Sequence, residues 1–247
     1  MPGTSTVLMA CRRYFRFDVA GMKRMTFFIT GTDTGVGKTV LTALLAGYGR
    51  ECGVSIAALK PVCSGGRDDA RVLGAALNGV LTLDEINPWH FRAPIAPSLA
   101  ARQERKRVRL ASVLAHIRRL QARFDVLLVE GAGGLLSPLG EDFNSRDLIV
   151  SLRATPMIVG LNRLGAVNQV LLALEALPPD SRQKARVILM SLPRPDIAAK
   201  SNPGLLAEHS DGKRIFTLPW PGGRFNPARG SGNFRVRRTL RELVSGL

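Results

Sequence analysis

"FFITGTDTGVGKTVLTALLAGYGR", residues 27–50, decides the fold. Phe27-Phe28-Ile29 is short, aromatic and β-branched, the composition of a buried strand. After Lys38 the apolar residues Val40, Leu41, Leu44, Leu45 and Tyr48 recur at helical spacing, so a helix is expected over 38–51. Between strand and helix lie Gly31, Gly35 and Gly37, which let the backbone turn tightly and approach a ligand. Free N–H groups at a helix start, added to the helix dipole, make an anion site. Lys38 supplies a point charge for β/γ-phosphates, and the Thr39 hydroxyl suits Mg²⁺. The strict spacing G-x-x-x-x-G-K-[ST] would put glycine at position 32. This chain has Thr32 there and its glycine one residue earlier, at Gly31.

Outward from this loop, strand-like runs recur at 54–59, 125–129, 156–161 and 186–190, with a weaker one at 214–218. Helical periodicity covers 68–77, 96–104, 109–122, 145–152, 166–176 and 235–245. Alternation of this kind predicts an α/β fold, P-loop NTPase-like, with a mostly parallel sheet covered by helices on both faces. Ligands in such sheets sit beyond the carboxyl ends of the strands. The residues that follow strands are therefore the site candidates.

Three such stretches stand out. In "AALKPVCSGGRDDA" (57–70), Lys60 ends a strand, Pro61 fixes the exit, Ser64 to Gly66 offer donors, and Asp68 and Asp69 open a helix. Two acids at a helix start are also ordinary dipole partners. In "FDVLLVEGAGGLLSPLG" (124–140), the continuous apolar run predicts a central buried strand ending at Glu130, before Gly131, Gly133 and Gly134. A buried carboxylate there demands a partner, and a metal ion beside the P-loop would supply one. In "PMIVGLNRLGAVNQVLLALEAL" (156–177), Asn162 and Arg163 follow a strand. They offer donors for a carboxylate or, equally, a polar cap for the next helix.

With 247 residues, 45% of them hydrophobic, the chain can bury a sizeable core as one domain. No apolar run approaches the ~20 residues that span a bilayer, so no membrane partner is expected. Cys11, Cys52 and Cys63 form no CxxC pair, which points to a reducing, cytoplasmic setting and no structural metal site. The net charge is +16, but the excess lies in residues 1–24, 102–123 and 182–247, mostly outside the motif-bearing segments. No nucleic-acid-binding module accompanies it, so no nucleic-acid partner is expected. Residues 1–24 are Arg-rich and acid-poor, like a weak targeting peptide, and Met22 and Met25 sit where a shorter chain could start. The expected organisation is an N-terminal extension (1–24), a P-loop domain (25–221) and a basic C-terminal tail with a short helix (222–247).

Four segments in order, "GTDTGVGKT", "LKPVCSG", "VEGAGG" and "GLNRLGAVNQ", resemble the ATP-dependent dethiobiotin synthetases of biotin synthesis. The resemblance covers about residues 25–221, and early placement of the first glycine is a habit of that family. It implies a P-loop α/β domain, usually a homodimer, using ATP and Mg²⁺. It implies joining of CO₂ to 7,8-diaminononanoate through a carbamate and a mixed anhydride with phosphate, then ring closure to a cyclic urea. It assigns Gly35, Val36, Gly37, Lys38, Thr39 and Val40 to the phosphates, and Glu130, Gly131, Ala132 and Gly133 to the nucleotide. Thr39, Asp69 and Glu130 become the metal ligands, with Asp68 left as an alternative in a short loop. Lys60 and Lys38 become the catalytic cations, Ser64 and Thr34 the substrate contacts, and Pro219 part of a base-contacting turn. Where the family usually reads Asn-Asp after the fifth strand, this chain has Met190 and Ser191, which cannot make the same amide pairing with a base. Two other classes share the core. One is a related amidoligase or small-molecule kinase. The other is a partitioning-ATPase-type switch, which Arg235, Arg237, Arg238 and Arg241 would favour.

Overall fold

The structure is a computed structural model and describes residues 24–212, 214–221, 226 and 233–244. Residues 1–23 of the expected extension and most of the expected tail before 233 lie outside these. Six parallel strands form one sheet in the order β2-β5-β1-β6-β7-β8: β1 (Met25–Gly31), β2 (Ile56–Leu59), β5 (Val126–Gly134), β6 (Thr155–Leu161), β7 (Arg186–Met190) and β8 (Arg214–Leu218). The mostly parallel sheet expected from the alternation is present. The interior strands are near-continuously buried, as a sheet covered on both faces requires.

Helix α1 (Lys38–Glu51) leads from β1 to β2, and the last described helix, Phe234–Val244, packs against it and against β8. On the other face, α6 (Ser145–Leu152) packs on β1 and β5, and α7 (Ala166–Glu175) on β6. Because α1 runs leftward in the strand order and α6 and α7 rightward, right-handed crossovers put them on opposite faces. Between β2 and β5 come α2 (Asp68–Leu77), α3 (Leu83–Ile86), α4 (Pro97–Gln103) and α5 (Leu110–Gln121). A second, two-stranded sheet pairs β3 (Val62–Ser64) with β4 (Trp89–Phe91) in parallel. After α7 come α8 (Pro179–Lys184), a 3-10 turn (Ile197–Lys200) and α9 (Asn202–His209), so that Phe234–Val244 is α10.

Two expectations need correction. The strand expected over 54–59 begins at Ile56. Glu130 does not end its strand: β5 continues to Gly134, because β1 keeps pairing alongside it, Ile29 opposite Glu130 and Gly31 opposite Gly134, across an irregularity in register. The glycines that look like a turn are thus the last residues of the strand, passing close to the P-loop.

Candidate active site

The P-loop closes on itself at Gly31. A methyl group there would lie 2.8 Å from Val36 Cγ2, 2.9 Å from Asp33 O and 3.0 Å from Lys38 Nζ. The glycine at 31 is therefore needed where the strand end meets the returning loop, and the shifted spacing has a steric cause. Gly35 and Gly37 have φ of 73° and 97°, the left-handed region that favours glycine. Gly37 is also the N-cap of α1, with no side chain capping the helix, which leaves its first N–H groups for a ligand. Lys38 curls back and donates to Asp33 O at 2.7 Å. Burial, and then the nearby Lys60, lower its pKa to about 8.

The second cation is set by the β2–β3 bend. Lys60 N donates to Ile86 O, and Asn87 Nδ2 donates to Lys60 O at 2.7 Å, so the backbone at the strand exit is fixed. The side chain then reaches two acids. Its Nζ lies 2.5 Å from Asp69 Oδ2 and 2.7 Å from Glu130 Oε1. Thr39 Oγ1 donates to the same Glu130 oxygen at 2.7 Å. Burial works against the charge on Lys60, but Glu130 and Asp69 outweigh it and hold the lysine above its ordinary range. For Asp69, burial opposes ionisation, and Lys60 outweighs it and pulls the carboxyl below the ordinary range. Asp68 points elsewhere, pairing with Arg71 on the surface. Glu130 Oε2 is buried and, among the described residues, without a hydrogen-bond partner.

These groups meet in a cavity of about 730 Å³. Among the residues singled out in the sequence, Thr34, Gly35, Gly37, Lys38, Thr39, Val40, Lys60, Ser64, Asp69, Ala132 and Gly133 line it. Val36 is buried beneath the loop, and Glu130 and Gly131 lie behind the wall. Ser64 spends its hydroxyl on Ile95 O at 2.5 Å. Pro219 follows β8 outside the cavity lining. The loop after β6 is turned inward: Asn162 Nδ2 donates to Ala199 O, and its Oδ1 accepts from Asn202 Nδ2. That amide braces the fold and is not open to a carboxylate.

Sequence reading missed the far wall, Pro94 to Pro97 with Ser137 and Pro138. Ser98 N donates to Pro138 O, joining the two segments, and Ser137 Oγ accepts from Gly134 N at 2.9 Å. The prolines in "APIAPS" and "LLSPLG" were the available signal, but nothing local says that they face a P-loop.

Known proteins resemble the chain in this region. A family model described as "AAA domain" matches residues 25–223. An "ATP-dependent dethiobiotin synthetase BioD" of Anaeromyxobacter sp. (strain K) is 38% identical over 198 residues, covering 78% of this chain and 89% of that protein. The chain belongs to the ATP-dependent dethiobiotin synthetase family. Another member, from Anaeromyxobacter sp. (strain Fw109-5), is 44% identical over 154 residues, 61% of this chain and 69% of its own length. Among solved structures, the MinD cell division protein of Aquifex aeolicus overlays with a TM-score of 0.55 at 14% identity, covering 89% of this chain and 95% of that one. At that identity the likeness is one of fold. Among the described residues no helix is long and apolar enough to cross a membrane.

Proposed function

We propose that the chain forms dethiobiotin from 7,8-diaminononanoate, CO₂ and ATP, releasing ADP and phosphate. Family membership makes it an ATP-dependent ligase of biotin synthesis. One observation carries the finer reading: two lysines, Lys38 and Lys60, converge on one cavity large enough for a triphosphate tail and a small acid. A bare nucleotide binder has no need of the second cation.

The site also fits Mg²⁺. Among the described residues no three of His, Cys, Asp or Glu gather as a metal cage. Mg²⁺ does not need one, since it keeps waters and takes one or two carboxylates beside substrate phosphates. Thr39, Asp69 and Glu130 supply a hydroxyl and two carboxylates, and Glu130 has an oxygen in want of a partner. When bound, the metal would be held by Thr39, Asp69 and Glu130 and would neutralise negative charge developing on the phosphates.

The chain's own residues do the rest. N–H groups from Gly35 to Val40 orient the β- and γ-phosphates at the start of α1. A neutral amine of the substrate adds to CO₂ and loses a proton, giving a carbamate. Its oxygen attacks the γ-phosphorus and ADP leaves. The second amine attacks the carbonyl of the resulting mixed anhydride, the ring closes, and phosphate departs. Negative charge builds up on phosphoryl and carbamate oxygens, and Lys38 and Lys60 are held in place before it appears. Thr34 and Ser64 line the cavity and would contact the diamine. Residues 25–221 would be the catalytic domain, 1–24 an extension, and 222–247 a basic tail whose helix packs back on α1. The working unit would be a cytoplasmic homodimer.

The test is product formation by mass spectrometry alongside phosphate release, with ATP, Mg²⁺ and bicarbonate, with and without the diamine. Diamine-dependent release together with the cyclic urea is expected. Phosphate release that ignores the diamine would refute the assignment.

A further inference from the structure

We propose that Lys60 is a stand-in cation: without metal its ammonium holds the place between Asp69 and Glu130, and metal loading releases it toward the substrate cavity. This rests on the metal ligands named above. The reason is that both cations need the same two carboxylates. Lys60 Nζ lies 2.5 Å from Asp69 Oδ2 and 2.7 Å from Glu130 Oε1, and Thr39 donates to that same Glu130 oxygen. Mg²⁺ would approach carboxylate oxygens to about 2.1 Å, and a dication so close to the same two carboxylates would repel and crowd the ammonium. Glu130 cannot be left bare, because it is buried and a buried carboxylate without a partner is costly.

The main chain decides where a displaced ammonium goes. Hydrogen bonds from Lys60 N to Ile86 O and from Asn87 to Lys60 O fix its backbone. Only the side chain can swing, and the open space it borders is the cavity shared with Lys38 and Thr39. An arriving triphosphate offers the freed ammonium a new anion. Metal alone must break two ion pairs without replacement, whereas metal with nucleotide replaces them. The lysine thus keeps the acid pair assembled while the site is empty and makes metal and nucleotide bind cooperatively.

The experiment compares wild type with Lys60→Met without nucleotide, titrating Mg²⁺ by calorimetry and reading thermal midpoints with and without chelator. Lys60→Met should bind Mg²⁺ roughly tenfold tighter or more, since its competitor is gone. Its midpoint should fall by roughly 5 °C or more in chelator and recover with Mg²⁺, while wild type responds little. Should Lys60→Met not fold, wild type carries the test: with lysine labelled at the side chain, the Lys60 NMR signal should move on saturation with Mg²⁺. Equal Mg²⁺ affinity in the two proteins, or a Lys60 signal that stays put at saturation, overturns the stand-in. Wild-type product formation, measured in parallel, separates this failure from that of the synthetase reading, which falls only if no cyclic urea forms.

Discussion

Lys38 is 6% exposed and positively charged in a pocket that already holds Lys60. Its pKa is lowered to about 8, against 10.5 for a free lysine. Below pH 8 the folded chain keeps a buried charge that an unfolded chain would hold in water, and the cost is fully present. As pH rises from 8 to 10.5 the folded lysine gives up its proton and the cost fades. The pH-dependence of stability in Lys38→Met should therefore lack this rise. A triphosphate reverses the balance, because it compensates the ammonium. At pH 8 nucleotide binding should take up about half a proton, seen as a buffer-dependent heat in calorimetry, and no buffer dependence would contradict the assignment. Lys38→Ala should retain the fold and lose ~100-fold or more in turnover. Near-normal diamine-dependent phosphate release would show that the charge is not used. Met190 carries a second prediction at this scale. Its thioether packs so close to the P-loop that a methyl group at Gly37 would lie 3.0 Å from its Cε. Neither it nor Ser191 offers an amide to a base, and the nearby Asn162 amide is already engaged. GTP or CTP should then support turnover within about tenfold of ATP, one hydrogen bond being worth roughly 1 kcal/mol. Strict ATP use would mean that another segment reads the base.

At the scale of elements, the β1–α1 connection behaves as a knot of close contacts. Gly31→Ala would press a methyl group on Val36, on the Asp33 carbonyl and on the Lys38 ammonium at once. Two of these could shift only by moving the loop. The variant should keep its helical signal and lose nucleotide affinity by at least about tenfold, measured by titration calorimetry. Unchanged affinity would show that the loop has slack. This connection was legible in the sequence because its information is local: strand, glycines, lysine and helix lie within 24 consecutive residues. Other elements were not legible, for the opposite reason. Strands β3 and β4 have three residues each and exist because Cys63 and His90 face each other across a long connection. Helix α9 carries too weak an amphipathic pattern to announce itself. The run of glycines after Glu130 reads as a turn and becomes strand only because β1 lies alongside. Lys60 was legible as a strand-end lysine, but its grip on Glu130, 70 residues away, was not. That Asp69 meets Lys60 while Asp68 pairs with Arg71 likewise needed the direction of α2 relative to β2.

At the scale of the whole molecule, α10 packs on α1 and β8 and braces the helix that follows the P-loop. Val236, Leu240, Leu243 and Val244 are buried, and Arg237 pairs with Glu51 at the end of α1 and lies over the Tyr48 ring. Leu240→Ala should cost about 2–5 kcal/mol and lower the thermal midpoint by roughly 5–15 °C. A shift under 1 °C would mean that α10 rests on the surface without bracing it. Nucleotide and Mg²⁺ should restore part of the loss, because binding draws on the folded state. The same brace sets an order in time during protein synthesis. Glu51 and Arg237 are separated by 186 positions, so at ~5–20 residues per second the ribosome needs roughly 10–40 s to go from one to the other. Through that interval the flank of α1 beneath α10 stays uncovered, and the growing chain is exposed to capture by chaperones until the brace arrives.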